Sequence, residues 1–249
     1  MRNVFLVPNW FLGYDILFEL LFILITFFVS LYAFKVYQLS GEEKPKLFAA
    51  AFLFISLGYF VQMIMNSIFF FFLKDLIFTP YQAYRILLIY SVSMYAYTFI
   101  LLTGLVVLVY MTFGIKRKSV FILLLLMSLM ILMVSVQKLF SFYVLSSIIS
   151  LFVVVYFFKN YGRARTINSL LVFVGFSLIL MSYLLFIFST RIHLYYFLGH
   201  FAKLIGYILI LINLLRITNA EKKFRTHISS KLSGSRINKS KSNKSKRSS

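Results

Sequence analysis

Cysteine is absent from this chain. Its absence excludes disulfides, iron–sulfur clusters and thiol chemistry, and leaves the redox compartment unspecified. Acidic residues are nearly absent too, with six Asp and Glu against 26 Lys and Arg in 249 residues. Charged residues of both signs make up 13% of the chain, where a soluble domain carries about a quarter. Proline occurs three times, never inside a long apolar run. Histidine also occurs three times, as His193, His200 and His227. There is no HExxH zinc signature and no G-x-S-x-G elbow. A bis-histidine haem needs ligands on facing helices, and only the last apolar run carries histidine. The adjacent acids Glu42 and Glu43 sit in Gly41–Pro45, a stretch that reads as a loop between helices. No enzymatic activity, metal site or cofactor is therefore expected.

What remains is apolar and aromatic: 61% hydrophobic residues, mean hydropathy +0.92, 31 Phe and 17 Tyr. Such a surface requires the lipid bilayer as its solvent. The net charge of +20 lies in short loops and one terminal cluster. That distribution suits membrane orientation and anionic lipid headgroups, and gives no nucleic-acid-binding face. The first 13 residues carry one basic residue and no small-residue cleavage site, so no cleavable signal peptide is expected.

A membrane crossing takes about 20 apolar residues as a helix. Seven stretches qualify: 14–37, 47–73, 84–113, 119–136, 140–158, 167–188 and 194–215. They are continuous, whereas a β-barrel needs alternating segments of about ten residues. The fourth and fifth are separated only by Gln137, Lys138 and Ser141. One helix over 119–158 would be roughly 60 Å long, about twice the hydrocarbon core. Lys116–Lys118 precede this region, and Lys159, Arg163 and Arg165 follow it. Both clusters lie on one side only if the chain crosses and returns between them.

Lys44 and Lys46 and the ten basic residues from Lys222 to Arg247 belong to the same side by this count. The positive-inside rule makes that side the cytoplasm. The predicted fold is an all-α integral membrane protein, multi-pass in the cell membrane. It is a seven-transmembrane-helix bundle over 1–217, with the N-terminus outside and the C-terminus cytoplasmic. Residues 218–249 are predicted to form a disordered basic cytoplasmic tail, in contact with anionic lipid headgroups. No internal repeat is evident.

Ionisable groups inside a span are costly, and by default face the bundle interior for a functional reason. Asp15 and Glu19 share a face of the first span; Gln62 and Asn66, with Tyr59, share one of the second. Arg85 opens the third, and the seventh carries His200, Lys203 and Tyr207. With the N-terminus outside, Asp15, Glu19, Arg85, His200 and Lys203 fall in the outer third, with Gln62 and Asn66 at a similar depth. The expectation is a polar ligand pocket there, with Glu19 as counter-charge to Lys203 or Arg85. The alternatives are a structural buried ion pair, or interfacial positions for Asp15, Arg85 and Lys203 with snorkelling side chains. Gly199, Ala202 and Gly206 form an adjacent small-residue stripe suited to close helix packing.

Gly199, His200, Lys203, Gly206 and Tyr207 form a G-H-x-x-K-x-x-G-Y pattern within 193–207. The stretch resembles the last span of the multi-helix membrane-associated sensor domains, the MASE group, of prokaryotic signalling proteins. In that family the last span feeds a cytoplasmic output domain, whereas here a basic tail follows Arg216. The resemblance therefore implies a sensor that signals through a separate cytoplasmic partner. A lysine in a seventh span also resembles the plan of retinal-binding rhodopsins, although the third span has no acid after Arg85. The expected function is a receptor or sensor-like protein for a small or lipid-soluble ligand, held by Lys203, His200, Glu19, Tyr207, Gln62, Asn66, Arg85 and Asp15. The alternatives are a small-solute transporter, disfavoured by proline-free spans without paired interruptions, and a structural membrane protein.

Overall fold

The computed structural model describes residues 13–74, 80–114, 118–189 and 193–245, with side chains over 13–68, 88–114, 119–189 and 194–220. Each of the seven apolar stretches forms a helix, and no strand occurs among the described residues. The helices are α1 (Tyr14–Ser40), α2 (Glu43–Lys74), α3 (Pro80–Phe113), α4 (Lys118–Val134), α5 (Lys138–Ala164), α6 (Ile167–Phe188) and α7 (His193–Ser245). Six of them are long and apolar enough to cross a membrane, which makes this a multi-pass membrane protein by length and composition. The exception is α4, whose 17 residues reach about 26 Å.

Local chemistry sets the boundaries. Gly41 ends α1 in the left-handed region at φ 73°, and its N–H donates to the Tyr37 carbonyl at 2.8 Å. The break before α2 is shorter than Gly41–Pro45, because the helix already begins at Glu43. Pro45 falls in the first turn, where its missing N–H has no intrahelical partner to lose. Thr166 caps α6 by accepting from the Ser169 N–H at 3.3 Å. Only Ser135–Gln137 separate α4 from α5. The Ser135 and Ser141 hydroxyls close that turn at 2.5 Å, and the Lys138 ammonium lies 3.9 Å from the Tyr95 ring centroid.

Aromatic contacts give the helix directions. Tyr97 meets Phe142 early in α5, and Phe113 meets Phe152 further along it. Helices α3 and α5 are therefore parallel, and α4 must carry the chain back between them.

The six long helices close into a ring. Helix α1 packs on α2 and α7, α2 on α3, α3 on α5, α5 on α6, and α6 on α7. Helix α4 lies outside the ring against α3 and α5, with Leu123, Met127 and Met130 exposed. Outward faces elsewhere are equally apolar, as at Leu17, Leu24 and Leu31 of α1. Between helices, Ser30 donates to the Ala49 carbonyl at 2.8 Å and Ser56 to the Ile23 carbonyl at 3.2 Å, tying α1 to α2. Inside the ring runs a column of rings, with Phe22 on Tyr59, Tyr207 on Phe52, and Phe52 on Phe176. Phe176 in turn stacks on Phe157 at 4.9 Å.

Helix α7 continues beyond the last apolar stretch to Ser245. The small stripe of α7 meets α6. A Cβ on Gly206 would lie 2.7 Å from the Gly175 carbonyl oxygen and 2.9 Å from Ile179 Cγ1, and one on Gly199 would lie 3.0 Å from the Phe186 ring.

Gly206→Val is therefore expected to destabilise the bundle by about 1–3 kcal/mol, read as a lowered unfolding midpoint in detergent. Gly162→Ala, where nothing lies within 4 Å of the added Cβ, serves as the control and should not lower it. An unchanged midpoint for Gly206→Val would contradict the close α6–α7 crossing.

Candidate functional site: a central polar chamber

Asp15 and Glu19 are one turn apart on α1 and point into the ring, at 6% and 1% exposure. Helix α7 brings His200 and Lys203 to the same level, each 5% exposed, and α2 brings Tyr59, Gln62 and Asn66. The 3.6-residue period selects these positions, because residues three or four apart share a helix face. Around them the ring encloses a cavity of about 20 Å³. Its wall includes Glu19, Gln62, His200 and Lys203, with Tyr97 from α3, Tyr143 from α5 and Phe186 from α6. Every helix of the ring contributes. The volume suits one water molecule.

The charged groups are held separately. The Asn66 amide donates to Glu19 Oε1 at 2.5 Å, while Glu19 Oε2 is buried with no hydrogen-bond partner among the described residues. The Tyr196 hydroxyl donates to the Asp15 carboxylate, and Asp15 Oδ1 lies 3.6 Å from His200 Nε2. That separation is electrostatic contact rather than a hydrogen bond. The His200 ring stacks on Phe22 at 5.8 Å and meets Phe186 and Tyr196 edge-on. The Lys203 ammonium sits 4.6 Å from both the Tyr183 and the Phe186 ring centroids, with Tyr59 at 5.7 Å and Phe22 at 6.0 Å. Ring faces are the electron-rich surface for a desolvated cation. Below the chamber the Tyr59 and Tyr207 hydroxyls pair at 2.9 Å.

Of the eight residues singled out from sequence, four line the cavity: Glu19, Gln62, His200 and Lys203. Asn66, Asp15 and Tyr207 stand directly behind them through Glu19, His200 and Tyr59. The side chain of Arg85 lies outside the described residues. Of the two counter-charges expected for Glu19, Lys203 or Arg85, Lys203 forms no ion pair with it among the described residues: Glu19 takes Asn66 from α2, while Lys203 faces the rings of α6. The burial of Asp15 and Lys203 also removes the interfacial snorkelling alternative for those two residues. Tyr143, Tyr183 and Phe186 went unnoticed in the sequence. Their spans carry no ionisable acid or base in their cores, and the only signal was a tyrosine hydroxyl that must find a partner in an apolar run.

Comparison with protein families, with curated proteins and with solved structures finds no match to this chain.

The pairing of Glu19 with Asn66 has an asymmetric consequence. Asn66→Leu leaves a carboxyl oxygen buried without its donor, at an expected cost of about 1–3 kcal/mol. The double variant Glu19→Leu/Asn66→Leu removes both polar partners and should unfold closer to wild type than Asn66→Leu does. Detergent unfolding midpoints measure this, and a double variant worse than Asn66→Leu would rule the pairing out.

Proposed function

We propose that this protein is a membrane sensor or receptor whose central chamber takes a small polar ligand. The observation that carries the reading is the chamber itself: six helices surround a void bearing a carboxyl oxygen with no donor and an ammonium with no carboxylate partner among the described residues. Lys203 and His200 would contact an anionic or polar group. Glu19 would balance the charge, and Gln62, Asn66 and Tyr207 would orient the ligand through hydrogen bonds. A void of about 20 Å³ is far below the roughly 300–1,000 Å³ of organic ligand sites. Entry therefore displaces water and moves α7, which carries three of these contacts and packs on α6 through glycines. The same helix runs on to Ser245, which gives occupancy a mechanical route to a cytoplasmic partner. The sensor-domain resemblance of 193–207 supports the same reading.

Seven crossings, with the N-terminus outside, belong to this proposal. The parallel run of α3 and α5 supports a return through α4, and the basic loops support the orientation. Transport is the weaker reading, because buried rings of Tyr207, Phe52 and Phe176 fill the ring interior beneath the chamber.

Native mass spectrometry of the gently purified protein beside Lys203→Ala tests the ligand. A discrete small molecule retained by wild type and lost from the variant is expected. Identical bulk lipid on both would overturn the pocket, and solute uptake into proteoliposomes that disappears with Glu19→Gln would establish transport instead. The cysteine-free chain makes topology directly measurable. In intact cells an impermeant maleimide should label Gln137→Cys at once, and Asn160→Cys only after permeabilisation. The reverse pattern would mean that α4 does not cross or that the orientation is inverted.

A further inference from the structure

A second void lies at the opposite end of α2 from the chamber. It is a cleft of about 950 Å³ between the start of α2, the end of α3 and the start of α4. Its body is largely apolar, formed by Leu47, Ala50, Val107, Met111 and Phe121 together with Tyr110. Its mouth carries Glu42, Glu43, Lys44 and Lys46, exposed on a single turn of chain. These four charges are not spent on one another: no ion pair joins them among the described residues. The Lys44 ammonium instead reaches the Tyr156 hydroxyl of α5 at 3.5 Å, and the Lys46 ammonium lies 5.6 Å from the Tyr37 ring centroid of α1.

We propose that this cleft binds a phospholipid whose zwitterionic headgroup carries a primary ammonium, the phosphatidylethanolamine type. The charge pattern selects the headgroup. Two ammonium groups suit a phosphate diester, and two carboxylates suit a cation on the same molecule, so a zwitterionic headgroup balances these four described side chains. A simple anionic headgroup would leave both carboxylates facing a like charge. A choline headgroup has no N–H to donate to them, because its nitrogen is fully methylated. One acyl chain fills the largely apolar body. The volume, at the upper end of that for buried organic ligands, accommodates such a chain. In the proposed orientation the cleft opens on the cytoplasmic side. The site stands apart from the chamber, and its test does not depend on the sensor reading.

The experiment is a lipid competition on the full chain. The protein is exchanged into mixed micelles with equal amounts of phosphatidylethanolamine, phosphatidylcholine and phosphatidylglycerol, and retained lipid is counted by native mass spectrometry. Retention of phosphatidylethanolamine about tenfold above phosphatidylcholine is expected, a ratio that one charge-assisted hydrogen bond supports. Glu42→Gln/Glu43→Gln should abolish that preference while phospholipid is still held. Lys44→Gln/Lys46→Gln should lower retention of all three. Equal retention of the three lipids by wild type, preference for phosphatidylglycerol, or a preference that survives Glu42→Gln/Glu43→Gln would each overturn the proposal. Both double variants alter only exposed side chains, and circular dichroism at the wild-type helix content confirms that a lost preference is not lost folding.

Discussion

A peptide group in hydrocarbon has no partner except another peptide group, and an unpaired one costs several kcal/mol. Here that requirement is met within each segment, by helices that run unbroken through their apolar stretches. Serine and threonine in the spans answer it in the same way, as Thr26, Thr98 and Ser147 donate back to carbonyls one turn earlier. Once every backbone group is satisfied locally, the helices are free to associate by shape. Association then depends on where side chains are small, at Gly175 and Gly206, and where a hydroxyl reaches across, at Ser30 and Ser56.

The same constraint makes the polar chamber informative. Carboxyl, ammonium and imidazole groups turned toward lipid would each carry a desolvation penalty, so the ring closes with all of them inward. Their partners come from other helices: an amide from α2 for Glu19, and aromatic faces from α6 for Lys203. Cation and carboxylate are stabilised apart, on different walls, and share one small void.

Much of this was legible in advance. Asp15, Glu19, Gln62, Asn66, His200 and Lys203 stand out because polar residues in long apolar runs are few, and helical spacing assigns each to a face. The break between α4 and α5 was legible from basic clusters on both sides of a stretch too long for one crossing. The aromatic walls were not. Tyr143, Tyr183 and Phe186 are three among 48 Phe and Tyr residues, and nothing in their spacing separates a chamber wall from a lipid-facing ring. The aromatic surroundings of Lys203 were not legible for a related reason. Opposite charges suggest a pair, yet the direction in which α7 presents its lysine depends on how α7 rotates against α6.

The sequence by itself determined the membrane as solvent, the seven helices and the residues that must avoid lipid, because those follow from hydropathy and from period along one chain. Tertiary structure alone decided the ring order, with α4 outside and α3 beside α5, since that order depends on which surfaces fit when helices meet. It also decided that Glu19 takes Asn66 and Lys203 takes aromatic rings, and that Glu42, Glu43, Lys44 and Lys46 stand at the mouth of a cleft. The physical reason is the same throughout. Burial and period are properties of a segment, whereas contact is a property of two segments whose relative rotation and depth are settled only by packing.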